Sequence, residues 1–523
     1  MALIRRLARG MKRPLGAVLE RRLGGYRRTV NDVDARAPLR ATAPASVAVL
    51  GGGLAGIAAA ATLADRGFRV TLFEANERIG GKIGGETITI DGQPYPMDHG
   101  FHAFFRHYYN LDAFLARVGV KPALEAIDDY VILDADGREW SFGDVETTPG
   151  LNLLDLAGKD LYRLGEVMFS GAHRHMNAFL AYDRDATFAG LDRTSFSEWA
   201  DRAGLPKRLR RVLTIFARAF FAEDDRLSAA EVVKAFHFYY LAHDKGLLYD
   251  YPRRAYLDGI VVAIEAHLDR LGVSVCTRSP ARVVAPLDDG VEVDGTRFDH
   301  AVVATPAREA RALALRSPLF RAACPDTTRR LASLEDGQRY AVLRIWIDRD
   351  IRAGLPVFVT TERTKLLDAV ASYHRITETD ATWVARRGGA VLELHSYAVP
   401  DDLPDDGAVR EALLSELARF FPEIAGFTIA HEHLRVRNDF TALHVGMAAD
   451  RPVTATDHSN VVLAGDWVSL PVPAMLMEGA FTSGLYAANT ILARAGLQEA
   501  PIESVPLRGL LADMPSPIRA AAG

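Results

Sequence analysis

A glycine-rich turn between two apolar strands constrains the fold of this chain more than any other feature. From Ser46 the sequence reads SVAVLGGGLAGIAAAATLADRGFRVTLFEA: an apolar strand, a glycine turn, an alanine-rich helix and a second strand that ends in Glu74. Gly51 permits a tight turn, Gly53 has no Cβ to obstruct a pyrophosphate, and Gly56 lets the helix pack closely on the strand. This spacing predicts an α/β fold of the Rossmann type that binds a dinucleotide at the N-terminus of the helix.

The position of Glu74 after the second strand indicates how the dinucleotide is bound. A carboxylate at this separation from the glycines accepts hydrogen bonds from both ribose hydroxyls. The same carboxylate repels a phosphorylated ribose, which disfavours NADP. NAD and FAD share this fingerprint, so the motif alone leaves the choice between them open.

The same stretch imitates a membrane span, because residues 41–64 contain no charged side chain and a spanning helix needs about 20 apolar residues. Three consecutive glycines lie in its middle, and the residues before and after them favour a strand and a helix. We therefore predict a strand, a turn and a helix here, and no membrane-spanning segment elsewhere.

Length and charge limit the broad class of protein. With 523 residues the chain exceeds one ordinary hydrophobic core, which predicts two lobes or one fold with long insertions. The net charge of -5 gives no reason to expect a nucleic acid partner. Two cysteines exclude a disulfide framework, so we expect a cytoplasmic protein.

Residues 1–44 form a basic N-terminal extension that differs from the rest of the chain. The first forty residues carry eleven basic and three acidic side chains, a local charge of +8. Apolar residues recur at helical spacing among the arginines: Ile4, Leu7, Met11, Leu15, Val18 and Leu19. One interpretation is peripheral association with the cytoplasmic membrane face. The other is an extension that is frayed or docked on the body of the protein.

Later segments narrow the choice of cofactor. The sequence RIGGK at 78–82 follows the second strand, HAVVATP at 300–306 is a strand that ends in a turn, and NVVLAGDW at 460–467 is another. Together they resemble the amine oxidase and phytoene desaturase flavoproteins, which implies FAD. By that resemblance the FAD contacts outside the glycine turn are Arg78, Gly80, Gly81, Lys82, Gly100, Val283, Gly465, Asp466 and Met477.

The resemblance implies an interleaved domain organisation. The FAD-binding domain takes residues 45–106, 250–309 and 452–497, and a helix near Gly479 aims its N-terminus at the flavin. The substrate domain takes residues 107–249 and 310–451, followed by a C-terminal tail at 498–523. Helical patterns such as 196–221 and apolar strands at 338–347 and 390–399 predict a mixed sheet with a helical cap.

The segment DHGFHAFFRHYYN at 98–110 alternates aromatic rings and histidines without a helical or strand period. Because it follows the glycine doublet, we expect it to line the flavin pocket. His99, Phe101, His102 and Tyr108 are the candidate catalytic residues. A metal site is not expected, since carboxylate or thiol partners at ligand spacing are missing.

Three segments give a closer resemblance: 98–110, FHFYYLAHDKGLLYDYP at 236–252, and LAGDWVSLPVPAMLMEGAFTSGLYAAN at 463–489. They look like the carotenoid φ-ring and χ-ring synthases. The resemblance implies desaturation of a β-ionone ring with 1,2-methyl migration. In that chemistry aromatic faces stabilise a transient cation and His99 or His102 takes a proton.

Two other interpretations remain open at this point. The chain could be another member of the superfamily, such as a linear carotene or isoprenoid desaturase or an amine oxidase. It could also be a flavin-bearing protein that binds a carotenoid without turning it over. All three share an apolar pocket beside the flavin, so sequence motifs alone do not separate them.

Overall fold

A computed structural model describes residues 15–127 and 129–514 of the chain. Its first layer is a five-stranded parallel sheet with helices on both sides. The strand order is Ser274–Cys276, Arg69–Phe73, Ser46–Leu50, His300–Val303 and Val461–Leu463. The predicted α/β fold of the Rossmann type is confirmed.

Small residues bring two helices of this layer unusually close together. The alanine-rich helix Leu54–Asp65 packs against the C-terminal helix Leu476–Arg494. A Cβ added to Gly484 would lie 2.1 Å from the carbonyl oxygen of Ala55 and 2.8 Å from the Cβ of Ala58. Larger side chains would separate the helices, so this pairing explains the alanine-rich composition.

The strand, turn and helix predicted within residues 41–64 are present. They are the strand Ser46–Leu50, a turn and the helix Leu54–Asp65. Within the described ranges, no helix has both the length and the apolar character needed to span a bilayer.

A second layer is a seven-stranded mixed sheet, which we call the substrate sheet. Its strand order is Ile429–Arg437, Tyr340–Ile347, Ala390–Ser396, Ala369–Ser372, Phe358–Thr361, Val131–Leu133 and Glu139–Ser141. Most neighbours are antiparallel, and Phe358–Thr361 runs parallel to Val131–Leu133. The strands predicted at 338–347 and 390–399 are present.

The two faces of the substrate sheet differ in character. Leu343 and Ile345 on the outer face pack in one apolar cluster with Leu413 of the helix Asp406–Phe420. Arg344 and Trp346 alternate with them and therefore lie on the inner face, where Trp346 packs against Tyr95.

The insertion at 107–249 is mainly helical, as predicted, and 196–221 forms two helices. It also supplies the last two strands of the substrate sheet, Val131–Leu133 and Glu139–Ser141. Its α-helices are Tyr109–Arg117, Leu151–Gly158, Leu164–Phe169, His173–Leu180, Arg184–Leu191, Phe196–Arg202, Lys207–Arg218 and Ala229–Phe236.

Smaller elements connect these layers. The antiparallel strands are Gly85–Ile90 with Gln93–Asp98, and Val284–Leu287 with Gly290–Val293 and Thr296–Phe298. Other α-helices are Val262–Arg270, Ala307–Arg316, Pro318–Ala323, Pro325–Ser333 and Glu378–Arg387. Single-turn helices are Gly81–Ile83, Lys121–Ala123, His237–Leu241, Leu257–Val261, Tyr373–Arg375, Pro422–Ile424 and Met447–Ala449.

A three-stranded sheet joins the two aromatic segments of the sequence. Tyr249–Pro252 pairs with Phe104–Phe105 on one side and with Leu124–Ala126 on the other. Tyr249 lies opposite Phe105 in this pairing. Segments far apart in the chain therefore meet beside the substrate sheet.

The two ends of the described chain pack against each other. Residues 15–23 are helical, and the strand Arg28–Thr29 pairs antiparallel with Glu503–Ser504. Arg27 donates to the Glu503 carboxylate at 3.2 Å. This part of the basic extension is docked on the protein, whereas its apolar residues Ile4, Leu7 and Met11 lie outside the described residues.

Candidate active site

The glycine turn has the geometry that its spacing predicts. A Cβ on Gly51, whose φ is +111°, would lie 2.6 Å from the Ala304 carbonyl oxygen. A Cβ on Gly56 would lie 1.9 Å from the Gly51 carbonyl oxygen. At Gly53 an added Cβ meets no atom within 4 Å. Two glycines are required by close backbone packing, and the third faces open space.

The glycine doublet lies over this turn. The Gly80 N–H donates to the carbonyl oxygen of Gly52 at 2.8 Å. Gly81 has φ +57°, and its added Cβ would lie 3.0 Å from the Cα of Gly53. The doublet and the turn therefore enclose the space in front of Gly53 from two sides.

Glu74 is held at the end of its strand by the turn itself. Its carboxylate accepts hydrogen bonds from the Gly52 N–H at 2.8 Å and from the backbone and side chain of Asn76 at 2.8 and 2.7 Å. The residue is 6% exposed. This position beside the turn suits a ribose contact, which stays a prediction.

The two predicted cationic contacts have different surroundings. Arg78 makes a two-pronged ion pair with Glu265 on the helix Val262–Arg270, at 2.8 and 2.6 Å. The Lys82 ammonium lies 4.8 Å above the ring of Phe440. Among the described residues Lys82 has no carboxylate partner, so it is the better placed of the two cations to meet a pyrophosphate.

The C-terminal strand supplies the next group of predicted contacts. Gly465 has φ +145°, and its N–H donates to the Ser483 hydroxyl at 2.7 Å. Asp466 follows it and lines a small cavity together with Phe221, Phe440 and Leu476.

The C-terminal helix begins at Leu476, three residues before Gly479. The helix predicted near Gly479 is therefore present. Met477, a predicted FAD contact, is half-buried in the first helical turn. The earlier start places this residue at the N-terminal end of the helix.

The backbone of Val283 forms hydrogen bonds with another residue of the chain, Asp294. Its N–H donates to the Asp294 carboxylate at 2.8 Å, and its carbonyl accepts from the Asp294 N–H at 3.1 Å. Its side chain is 40% exposed. The predicted contact between the Val283 backbone and an adenine stays a prediction.

Both candidate histidines of the aromatic segment are tied to the backbone. The Nδ1 of His99 lies 3.0 Å from the Gly81 carbonyl oxygen, and the Nδ1 of His102 lies 2.8 Å from that of Gly100. Burial lowers the pKa of His102 to about 4, and burial also lowers the pKa of His99. Both imidazoles are therefore neutral at neutral pH.

Gly100 and Phe101 rest against the substrate sheet. Gly100 has φ +125°, and its added Cβ would lie 3.4 Å from Val342. Phe101 stacks on Phe358 with ring centroids 4.9 Å apart, and its N–H donates to the Glu393 carboxylate at 2.7 Å. The predicted site segment is thereby fixed to the inner face of that sheet.

Tyr108 lies in an interior cluster that Phe105 links to Tyr249. Its hydroxyl lies 2.7 Å from that of Tyr239, and only 2% of the residue is exposed. Its ring packs with those of His107 and Phe238. The structure brings together the two aromatic segments here, but it does not bring Tyr108 next to Phe101. Its predicted role in catalysis stays a prediction.

A series of rings, which we call the aromatic tract, runs from the Lys82 side of the site to the aromatic segment. Successive ring centroids are 3.5 to 6.3 Å apart. Its members in order are Phe440, Phe221, Tyr397, His395, Phe358, Phe101 and Tyr249. The tract begins at the ring beneath Lys82, so it connects the nucleotide turn with the predicted substrate site.

Sequence reasoning missed the buried charges beside this tract. Arg344 and Glu393 form an ion pair at 2.6 Å, with side chains that are 1% and 0% exposed. The signal that could have found them is a charged residue inside an apolar strand, as in YAVLRIWI and AVLELHS.

The pKa values of two buried carboxyl groups in this region are shifted in opposite directions. Burial alone raises the pKa of Glu393, but the charges and hydrogen bonds of Arg344 and His395 together outweigh it, and the pKa falls to about 2. Burial raises the pKa of Asp98 to about 7, because Arg344 and the Tyr256 N–H offset it only partly. Glu393 is therefore a fixed anion at neutral pH, whereas Asp98 titrates near neutrality.

The residues around the glycine turn fit FAD. The open space at Gly53 admits a phosphate, the doublet Gly80–Gly81 lies over it, and Lys82 supplies a positive charge. The aromatic tract provides apolar surface beside Lys82. Within the described ranges, no group of three or more His, Cys, Asp or Glu side chains is arranged to hold a metal ion.

Comparisons with known proteins agree with this site. Residues 54–492 match the family model "Flavin containing amine oxidoreductase". The chain is 35% identical to a carotenoid phi-ring synthase of Streptomyces griseus, over 91% of this chain and 92% of that protein. A carotenoid phi-ring synthase of Chlorobaculum tepidum is 28% identical over 90% of this chain and 92% of its own length.

A solved structure shares the fold. The cyclohexylamine oxidase of Brevibacterium oxydans superposes with a TM-score of 0.61 at 17% identity, covering 87% of this chain and 100% of its own. At that identity the likeness concerns the fold alone. From the matched family and the relatives together, the chain belongs to the flavin containing amine oxidoreductases and, within them, to the carotenoid phi-ring synthase family, and it is an FAD-dependent oxidoreductase.

Proposed function

We propose that this enzyme converts the β-ionone end ring of a carotenoid into an aromatic ring. One methyl group of the gem-dimethyl carbon moves to the neighbouring ring carbon in this reaction. The observation that carries the proposal is the aromatic tract, an apolar path that begins beside Lys82. The 35% identity to a carotenoid phi-ring synthase supports the same substrate class.

The chemistry of the ring sets what the protein must supply. A β-ionone ring offers only C–H bonds, so it must be oxidised, and bound FAD supplies a two-electron oxidant. Aromatisation takes four hydrogens from each ring and retains every carbon. The protein therefore needs a dry site, a surface that tolerates positive charge and a proton acceptor.

The aromatic tract meets the first two needs. A positive charge over an aromatic face is stabilised by about 1 to 2 kcal/mol when water is excluded. Phe101, Phe358 and Tyr249 present such faces at the end of the tract away from Lys82. We expect these rings to exclude water from the place where a ring cation would form.

We also propose that the enzyme takes its substrate from the membrane surface. A carotenoid dissolves in lipid, and the +8 charge of the first forty residues favours anionic headgroups. Val18 is 58% exposed, and on the helix Leu164–Phe169 the apolar pair Met168 and Phe169 is 58% and 95% exposed. Sedimentation with anionic vesicles tests this, with Phe169→Ser expected to bind less than wild type.

Expression in cells that accumulate β-carotene tests the proposed reaction. We expect pigments that have lost four hydrogens per modified ring and kept every carbon, as measured by chromatography and mass spectrometry. The matched control is Gly56→Ala, whose added Cβ would clash with the Gly51 carbonyl oxygen and block the turn.

An unchanged pigment profile from FAD-loaded protein would contradict the proposal. A linear desaturase or an amine oxidase would leave β-carotene intact, and so would a protein that only binds it. The same measurement therefore separates the proposed reaction from these alternatives.

A further inference from the structure

One carboxylate on the inner face of the substrate sheet is held from several sides. The Oε2 of Glu393 accepts hydrogen bonds from the Arg344 guanidinium at 3.0 and 2.6 Å. Its Oε1 accepts from the Phe101 N–H at 2.7 Å. These donors fix both oxygens in place, so the carboxylate is an immobile negative charge next to the aromatic segment.

A histidine lies directly against this carboxylate. His395 is two residues farther along the same strand, and its Nε2 lies 3.0 Å from the Glu393 Oε1. Its side chain is 6% exposed. Among the described residues this buried Nε2 makes no hydrogen bond of good geometry, so its approach to Glu393 is a close contact between the two groups.

His395 is also a member of the aromatic tract. Its ring centroid lies 6.3 Å from that of Phe358 and 6.0 Å from that of Tyr397. Phe358 in turn stacks on Phe101. The imidazole therefore combines a neighbouring fixed anion with a place among the rings where an apolar substrate would lie.

The other two histidines near the glycine doublet lack this combination. His99 and His102 each direct Nδ1 at a backbone carbonyl. Neither has a carboxylate within ion-pair distance among the described residues. A proton placed on either imidazole would leave a cation without a close anionic partner in a buried site.

We propose that His395 is the base that takes the proton from the carotenoid ring and that Glu393 is its positioning residue. This inference rests on the proposed function. After the methyl shift, the C–H bond at the carbon that received the methyl breaks. Its electron pair becomes a new ring C=C bond, and the proton goes to the imidazole.

Charge is conserved in this step, and the surroundings explain why it is favourable. The positive charge leaves the ring and reappears on the His395 imidazolium. Glu393 lies 3.0 Å from that imidazolium and balances it. A positioned base of this kind contributes about 10²- to 10⁴-fold to a rate.

Imidazole rescue of His395→Ala tests the assignment in the FAD-loaded enzyme. The matched control is His433→Ala: His433 lies on the strand Ile429–Arg437 of the same sheet and contacts the Glu86 carboxylate at 3.4 Å. Three readouts are compared: FAD per protein, binding of β-carotene measured by quenching of protein fluorescence, and the rate of aromatic product formation with and without added imidazole.

The expected result is a loss of at least 100-fold in product formation for His395→Ala, with FAD content and β-carotene binding retained. Added imidazole restores the rate at least tenfold, and His433→Ala stays within threefold of wild type. If His395→Ala does not fold or bind FAD, His395→Gln provides the same comparison, with the 100-fold loss in rate as its criterion.

Two outcomes overturn the assignment while the proposed function stands. The first is a product rate in the His395 variant within threefold of an active wild type. The second is a large loss in His395→Ala that imidazole does not restore, which indicates a structural role. A wild-type enzyme that leaves β-carotene unchanged is a different result, because it removes the proposed function itself.

Discussion

The two large sheets of this protein place their functional groups in different ways. In the parallel sheet, the strand Ser46–Leu50 is uncharged, and the functional residues Glu74 and Gly465 lie at or just beyond strand ends. In the substrate sheet, Arg344 and Glu393 lie in the middle of buried strands. The candidate groups of the first sheet lie at the ends of its strands and those of the second lie on its face, so we expect the two sheets to tolerate mutation differently.

The buried ion pair of the substrate sheet gives the largest expected effect. Glu393→Gln leaves the Arg344 charge without its partner, so we expect the free energy of unfolding to fall by about 3 to 5 kcal/mol. Chemical denaturation measures it. The matched control is Asp326→Asn, whose ion pairs with Arg329 and Arg330 are exposed and screened by solvent, so we expect a much smaller loss. Equal losses in the two variants would remove the contrast between buried and exposed pairs.

The glycine turn of the parallel sheet gives the opposite behaviour, a loss of binding without a loss of stability. Because an added Cβ at Gly53 meets only open space, Gly53→Ala should change the free energy of unfolding by less than about 1 kcal/mol. The methyl group occupies the place of the pyrophosphate, so we expect FAD affinity to fall about 100-fold, or about 3 kcal/mol.

Titration of apoprotein with FAD measures this effect. Gly354→Ala is the control, since an added Cβ there also meets no atom within 4 Å and the residue lies far from the turn in sequence. Unchanged FAD affinity in Gly53→Ala would show that the cofactor does not occupy the space in front of this residue.

The buried carboxyl group of Asp98 predicts a pH-dependent difference in stability between wild type and Asp98→Asn. Burial raises its folded-state pKa to about 7, above the unfolded value near 4, so the folded protein binds the proton more tightly between these values. Wild type should therefore lose stability relative to Asp98→Asn as pH rises from 4 to 7, by at most about 1.4 kcal/mol per pH unit. Arg344, Glu393 and Asp380 are the charged groups that act on Asp98.

Denaturation curves of the two proteins across this pH range provide the measurement. Above pH 7 the difference between them should become constant. A difference that grows in the opposite direction, with wild type gaining stability as pH rises, would show that Asp98 is ionised throughout.

Much of the parallel sheet could be predicted from the sequence, because its candidate site depends on residues at a fixed local spacing. Gly51, Gly53 and Gly56 act through the absence of a side chain at a fixed spacing within one strand, turn and helix. The C-terminal helix was predicted near Gly479 and begins at Leu476, which enters it with a φ of +49° that its residue type does not suggest.

The substrate sheet could be predicted only in outline. Its strands at 340–347 and 390–396 follow from apolar patterns, but the pairing of Arg344 with Glu393 joins residues 49 positions apart. The aromatic tract likewise depends on strand order, which brings His395 next to Phe358. Because the contact between His395 and Phe358 does not follow from their spacing in the sequence, the tract could be identified only from the structure.

The fate of the two methyl groups on the gem-dimethyl carbon tests the central claim most directly. FAD-loaded enzyme would be given β-carotene that carries a carbon isotope label in these methyl groups, and the pigment would be analysed by mass spectrometry and nuclear magnetic resonance. The account predicts an aromatic ring that retains both labelled methyl groups, one of them on the neighbouring carbon. Recovery of unchanged β-carotene, or of an aromatic ring that has lost a labelled methyl group, would contradict it.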